Sequence, residues 1–218
     1  MDNKALYNIS YGLFLLGSQH DGKINACITN TCMQVASDPV RLAISVLNQN
    51  YTCDLIKKSG LFCLSILDKT SQFELFKHFG YQSGKNVDKF ADWEFKTDKN
   101  GCPYITKNSC SFISCKVVSQ TDLGTHTLFI AEIQDAQIIS QNVPVTYNDY
   151  QKDIKPKVQI QENKKIIGWR CKICGYEYMN PELPQDYECP LCGHPRDDFE
   201  PIYGYLSISF KSEEHLEN

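Results

Sequence analysis

Two pairs of cysteines in the last quarter of the chain constrain its fold more than any other feature. Cys171 and Cys174 form one C-x-x-C pair, Cys189 and Cys192 form a second, and 14 residues separate the pairs. Each pair can wrap its backbone around one side of a metal ion, so that four thiolates surround the ion tetrahedrally. The spacing therefore predicts one metal site made of these four cysteines.

A glycine directly follows each pair, Gly175 after the first and Gly193 after the second. Glycine supplies the backbone freedom that a metal-binding turn needs, and it lets backbone N–H groups point at the sulfur atoms. The ligand count does not distinguish zinc from iron, because metal supply decides between them as much as affinity does.

The region around these cysteines is acidic. Residues 169–203 contain 3 basic and 7 acidic side chains, whereas residues 1–168 contain 18 and 16, and residues 204–218 contain 1 and 3. Nucleic-acid binding needs a basic surface, so no nucleic-acid partner is expected. An acidic module instead suits docking on a basic protein surface, including that of residues 1–168.

The rest of the composition indicates a cytoplasmic protein that does not enter a membrane. No apolar run approaches the about 18 residues that span a bilayer, and the opening Met-Asp-Asn does not resemble a signal peptide. Eleven cysteines form an odd number, which favours reduced thiols plus one metal site over a disulfide framework. Six cysteines without metal spacing are interpreted as packing residues, with a regulatory thiol as the alternative: Cys27, Cys53, Cys63, Cys102, Cys110 and Cys115.

Residues 1–155 are predicted to form a mainly β fold, a barrel with peripheral helices. One helix is predicted over residues 51–60, with Thr52 as its N-cap and Gly60 as its stop, and a second over residues 72–80. Strands are predicted from β-branched content and alternating polarity over residues 24–36, 40–47, 61–67, 111–120 and 126–139.

A stretch rich in charge and poor in large apolar side chains follows this barrel, which predicts a linker. The predicted organisation is a barrel at 1–152, a linker at 153–168, a small metal-binding domain at 169–203 and an acidic tail at 204–218.

The sequences CKICGYEY and LPQDYECPLCGHPRDDFEP resemble rubredoxin, a carrier with one iron ion. The interval between the pairs is shorter than in rubredoxin and resembles the domain appended to rubrerythrin-type proteins. The resemblance implies an electron-carrying iron at the four cysteines, with structural zinc as the alternative. It also implies a small aromatic core of Trp169, Tyr176, Tyr178, Tyr187 and Phe199.

The stretches NACITNTCMQVASDPVRLAISV, NQNYTCDLIKKSGLFCLSIL, HFGYQSGKNVDKF and HTLFIAEI resemble the flavin reductase-like split-barrel family. That family binds FMN, usually as a homodimer. No G-x-G-x-x-G or P-loop motif is present as an alternative nucleotide site. Ala131 stands where many relatives have glycine.

Short polar side chains in these stretches suit a flavin. Hydrogen-bonding groups for the ring edge are expected from Thr29, Asn30, Thr31 and Cys32, in a turn. Groups for the phosphate are expected from Asn48, Tyr51 and Thr52, at a helix N-terminus, with Lys85 as a cationic partner.

The resemblance adds further candidates. It implies that Asn25 contacts the flavin, that His126 lies near a nicotinamide, and that Tyr147 and Tyr150 close one end of the barrel. Each residue also has an ordinary structural reading: a strand or cap threonine, a buried small cysteine at Cys32, or a strand-end histidine. The loop beside the flavin is expected to contain Phe79, Gly80, Ser83, Gly84 and Lys85.

The two halves together resemble the high-molecular-weight rubredoxins. The resemblance implies an NAD(P)H oxidoreductase in which FMN accepts a hydride and passes single electrons to iron, then to a partner such as a flavodiiron protein. A flavoredoxin-like carrier reduced by another protein is one alternative. A ligand-binding barrel with a structural zinc ribbon is the other.

Overall fold

The protein is described by a computed structural model that covers residues 2–156 and 164–205. The chain divides into two compact units, Met1–Pro156 and Lys157–Asn218. The central part of the predicted linker, residues 157–163, lies outside the described residues, as do residues 206–218 of the predicted acidic tail.

A seven-stranded antiparallel sheet forms the first unit, with strand order β2-β1-β5-β8-β9-β4-β3. The edge strands β2 and β3 follow each other in the chain, and only Asn30 and Thr31 join them. This short connection requires the sheet to curve into the predicted barrel, in which β2 and β3 remain unpaired edges within the described residues. The sheet strands are β1 (Phe14–His20), β2 (Lys23–Thr29), β3 (Cys32–Ser37), β4 (Val40–Leu47), β5 (Leu61–Leu67), β8 (Ser109–Asp122) and β9 (His126–Ile138); β6 (Lys96–Thr97) and β7 (Pro103–Tyr104) form a separate pair.

Alternating side chains divide the core of the first unit into two layers. Leu16 packs with Ile44, Phe62 and Phe129 from three other strands, so this cluster fills the barrel. The neighbouring Leu15 points to the opposite face and belongs to the cluster packed around helix α2 (Phe73–Gly80). Burial of a side chain of this size stabilises the fold by about 1.5–3 kcal/mol.

Short helices flank the barrel: α1 (Tyr51–Ser59), α2 (Phe73–Gly80), α3 (Tyr147–Asp149), a 3-10 turn at Asn3–Asn8 and a π-helix at Tyr150–Ile154. Asn50, and not the predicted Thr52, caps α1, because its side chain accepts a hydrogen bond from the Thr52 backbone N–H. Gly60 ends α1 in the left-handed conformation at φ 68°, as predicted. None of the helices in the described ranges is long and apolar enough to cross a bilayer.

A three-stranded sheet of order β11-β10-β12 forms the second unit. Its elements are β10 (Lys164–Cys171), β11 (Glu177–Tyr178), a 3-10 turn at Arg196–Asp198 and β12 (Phe199–Tyr205). The predicted linker is therefore too long, because Ile166 pairs with Tyr203 and Gly168 pairs with Ile202. This strand was missed in the sequence because charged residues surround Ile166 and give it no local strand pattern. Its pairing partner, Tyr203, lies more than 30 residues further along the chain.

Candidate functional sites

Four cysteine sulfur atoms converge in the second unit. The Sγ atoms of Cys171, Cys174, Cys189 and Cys192 all lie within 4.8 Å of one another. Cys171 Sγ is 3.7 Å from Cys192 Sγ, and Cys174 Sγ is 3.4 Å from Cys189 Sγ. A tetrahedral ion with metal–sulfur bonds of about 2.3 Å separates its ligands by about 3.8 Å. The predicted ligands thus have the spacing that one tetrahedral metal ion needs.

Two glycines in the left-handed backbone conformation form the turns that carry these sulfur atoms. Gly175 and Gly193 have φ values of 78° and 68°, and their N–H groups donate to the Cys171 and Cys189 carbonyls at 2.9 and 2.8 Å. A hydrogen bond from the Cys174 thiol, followed by those from the Cys174 and Ile173 backbone N–H groups, lowers the pKa of Cys171, and the same thiol contact raises the pKa of Cys174. The two backbone N–H groups therefore favour a thiolate at Cys171, which is the form that binds a metal.

The predicted aromatic residues all pack on the cysteine cluster. Tyr187 contacts Tyr178 at a ring distance of 4.5 Å and Phe199 at 5.4 Å. The Trp169 indole N–H donates to the Pro181 carbonyl at 3.1 Å. The sequence reasoning missed Leu183, which is 6% exposed and completes this small core.

In the first unit, three predicted flavin residues meet beside the N-terminus of α1. Asn25 Nδ2 donates to Thr52 Oγ1 at 2.8 Å, and both side chains are buried. Gly84 lies directly over Asn25, since a Cβ atom at Gly84 would be 2.0 Å from Asn25 Oδ1. The dipole of α1 favours an anion at this end of the helix. The donors and the tight glycine contact suit the phosphate of FMN.

The predicted cationic partner is already paired. Lys85 Nζ lies 3.1 Å from Asp54 Oδ2 in the first turn of α1, and Ser83 Oγ accepts a hydrogen bond from the Lys85 backbone N–H. Exposed ion pairs contribute little to stability, so Lys85 can exchange Asp54 for a ligand. Tyr51 is the first residue of the same helix.

The predicted ring-edge residues surround the connection between β2 and β3. Thr29 Oγ1 lies 3.1 Å from Thr31 Oγ1, which donates to the Ser45 carbonyl at 2.5 Å. Asn30 is half-buried between them. Cys32 is not in the turn as predicted but begins β3, where burial raises the pKa of its thiol to about 12.

Asn48 and His126 lie near the hairpin between β8 and β9. Asn48 Nδ2 donates to the Gly124 carbonyl at 2.7 Å, and Thr127 Oγ1 donates to Asn48 Oδ1 at 2.6 Å. These hydrogen bonds hold the hairpin in place. They explain the presence of an asparagine at position 48 without the predicted contact to a phosphate. His126 is half-buried, its Nδ1 lies 2.8 Å from Thr125 Oγ1, and desolvation lowers its pKa.

Phe79 and Gly80 lie on the opposite face of β2 from Asn25. Phe79 is fully buried in the core around α2, and a Cβ atom at Gly80 would contact Ile28 at 3.5 Å. Packing therefore explains both residues without the predicted flavin contact. The predicted aromatic pair is present, because Tyr147 stacks on Tyr150 at 6.2 Å.

The chain matches two families in succession. Residues 6–155 match the flavin reductase like domain, and residues 169–200 match the rubrerythrin, rubredoxin-like domain. The chain therefore belongs to the flavin reductase-like family and carries a rubredoxin-like domain after the barrel. These domains identify an oxidoreductase that transfers electrons, with a flavin in the first unit and a metal at the four cysteines.

Individual relatives show more closely which kind of oxidoreductase the chain resembles. The chain is 31% identical to the high molecular weight rubredoxin of Moorella thermoacetica, over 93% of this chain and 100% of that protein. It is therefore a homologue of high molecular weight rubredoxin. It is also 38% identical to the ferric-chelate reductase (NAD(P)H) of Archaeoglobus fulgidus, over 69% of this chain and 89% of that protein.

Solved structures agree on the barrel. Flavin reductase PheA2 in its native state superposes with a TM-score of 0.56 and 26% identity, over 67% of this chain and 93% of that chain. Flavin reductase HpaC complexed with NADP+ superposes with a TM-score of 0.58 over 66% and 89%. At 21% identity, the second likeness concerns the fold alone.

Proposed function

We propose that this protein relays electrons from NAD(P)H, through FMN in the barrel, to one iron ion at the four cysteines and on to an acceptor protein. The observation that carries this proposal is the presence of both domains in one chain. A bound flavin can accept two electrons as a hydride and release them one at a time, and thiolate-bound iron carries one electron.

The residues of the first unit would bind and orient the cofactor. The α1 N-terminus, Asn25 and Thr52 would hold the phosphate, with Lys85 turning to it from Asp54. Hydroxyls at the β2–β3 connection would bond to the ring edge. The lowered pKa of His126 keeps its imidazole neutral near pH 7, which suits a nonionic contact with the nicotinamide.

The residues of the second unit would hold the iron and present it to partners. Backbone N–H groups directed at the sulfurs stabilise a negatively charged site. Ile173, between the first two cysteines, is 40% exposed, so an apolar contact lies beside the metal site on an acidic domain. A basic protein surface is the expected complement, and we propose a flavodiiron protein as the final acceptor.

A homodimer is proposed for the barrel. Strand β3 is an edge of the sheet, and Met33, Val35 and Val40 on β3 and β4 are 61%, 48% and 43% exposed. A second copy would cover this apolar edge. Sedimentation equilibrium tests this, and a Met33→Asp variant is expected to shift the protein toward the monomer.

The decisive experiment is an anaerobic titration with NADH of protein assayed for iron, zinc and flavin. We expect one iron and one FMN per chain, and NADH should bleach the flavin band before the iron band. Cys174→Ser is the matched variant, because it should remove the iron band and leave flavin bleaching intact. Flavin that stays oxidised would favour a flavoredoxin-like carrier, and a colourless zinc site would favour a structural ribbon.

The resemblance to ferric-chelate reductase (NAD(P)H) supports a second candidate, reduction of a ferric chelate by the barrel itself. The Cys174→Ser variant separates the two functions. Full ferric-chelate reduction by this variant would support the second candidate. Loss of ferric-chelate reduction would mean that the electrons reach the chelate through the metal site of the second unit.

A further inference from the structure

Lys89 is a buried charge that the proposed relay does not use. Its side chain is 2% exposed, and its Nζ donates to the Ala26 carbonyl at 2.9 Å and to the Phe79 carbonyl at 2.8 Å. A buried ammonium group is costly unless it is hydrogen-bonded. Two backbone acceptors from different elements therefore indicate a fixed position for this side chain.

The backbone of Lys89 is held as well. His78 Nε2 lies 2.7 Å from the Lys89 carbonyl, so this nitrogen must carry the proton, because a carbonyl only accepts. The His78 ring stacks on Trp93 at 4.6 Å with an interplanar angle of 23°. Lys89 is thus anchored at both its side chain and its backbone.

These anchors lie at one end of the segment that contains Ser83, Gly84 and Lys85. Residues 81–88 are exposed except for half-buried Gly84. Gly84 packs on Asn25, and Lys89 bonds to the next residue of β2, Ala26. The ammonium group therefore ties the segment to the same stretch of β2 that supports the phosphate site.

We propose that Lys89 is a positioning residue for the FMN site. It holds the 81–88 segment against β2 and the end of α2, and so sets the position of Gly84 over Asn25 without itself touching the flavin. This inference rests on the proposed function, because it assumes that FMN binds beside Asn25.

The test compares Lys89→Met with Lys77→Met, which makes the same change at an exposed lysine of α2. We expect Lys89→Met to raise the dissociation constant for FMN about tenfold or more, since hydrogen bonds to charged groups are lost. Lys77→Met should match the wild type. At saturating FMN, the maximal rate of flavin reduction should be unchanged, and Lys89→Arg should recover part of the affinity.

Hydrogen exchange of the flavin-free protein gives an independent measurement. Lys89→Met should accelerate exchange in residues 81–88 but not in β5 and β8. His78→Phe, which can keep the stack on Trp93 and loses only the bond to the Lys89 carbonyl, should give a smaller effect if Lys89→Met fails to fold.

The possible outcomes are distinct. Unchanged exchange and unchanged FMN affinity in Lys89→Met would overturn the proposal, as would equal losses in Lys77→Met. A wild-type protein that binds no FMN would overturn the proposed function, while the exchange measurement would still decide whether Lys89 holds the segment.

Discussion

Gly84→Ala is the sharpest test of the flavin site. A Cβ atom at this position would lie 2.0 Å from Asn25 Oδ1 and 2.5 Å from Asn25 Cγ. Asn25 is 2% exposed and bonds to fully buried Thr52, so it has little room to rotate. Either this hydrogen bond breaks or the 81–88 segment moves away. Steric conflict of this kind costs about 1–3 kcal/mol.

Two measurements on Gly84→Ala detect this steric conflict. Urea denaturation should show a loss of about 1–3 kcal/mol in the free energy of unfolding, and fluorescence titration should show FMN affinity weakened at least about tenfold. Gly80→Ala is the steric control for stability, because its Cβ would only contact Ile28 at 3.5 Å; a change below about 1 kcal/mol is expected. Wild-type stability together with wild-type affinity in Gly84→Ala would refute the assigned site.

Three further predictions concern other parts of the molecule. Cys171→Ser should reduce the bound metal from about one ion per chain to nearly none by elemental analysis, and should lower the unfolding temperature of the second unit alone. Asn50→Ala should cost about 1 kcal/mol in urea denaturation through loss of the α1 cap, whereas exposed Asn86→Ala should cost less than about 0.5 kcal/mol. Burial raises the pKa of Cys102 from 9.0 to about 12, so above about pH 9 the unfolded chain loses a proton that the folded chain keeps. The free energy of unfolding should therefore fall as pH rises, by up to about 1.4 kcal/mol per pH unit for each such thiol, and Cys102→Ala should lessen this slope.

Much of the barrel was predictable because its strands have strong local patterns. The strands Val40–Leu47 and Leu61–Leu67 match their predicted bounds. Short runs of apolar and β-branched residues favour a buried strand over a helix. The strand from Phe14 to His20 was not predicted, because a strand buried on both faces lacks the alternation of polarity that marks a half-buried one. The strand from Lys164 was missed because its stability depends on pairing with β12.

The candidate flavin site was less predictable from the sequence. Thr52 was expected to cap α1 with its side chain, but Asn50 takes that place and leaves Thr52 to bond with Asn25. Phe79 was expected at the flavin and lies in the core. Lys89 was overlooked, because nothing local distinguishes a buried lysine from the exposed lysines around it.

The sequence by itself determined the metal site, since four thiolates in two short turns need only local geometry to surround an ion. It also determined the barrel class, through strands whose polarity pattern is local. The tertiary structure alone decided which polar groups meet beside α1, because Asn25, Thr52, Gly84 and Lys89 come from separate elements. Their contacts depend on how β2, α1 and α2 pack, and side-chain packing between distant segments leaves no periodic trace in the sequence.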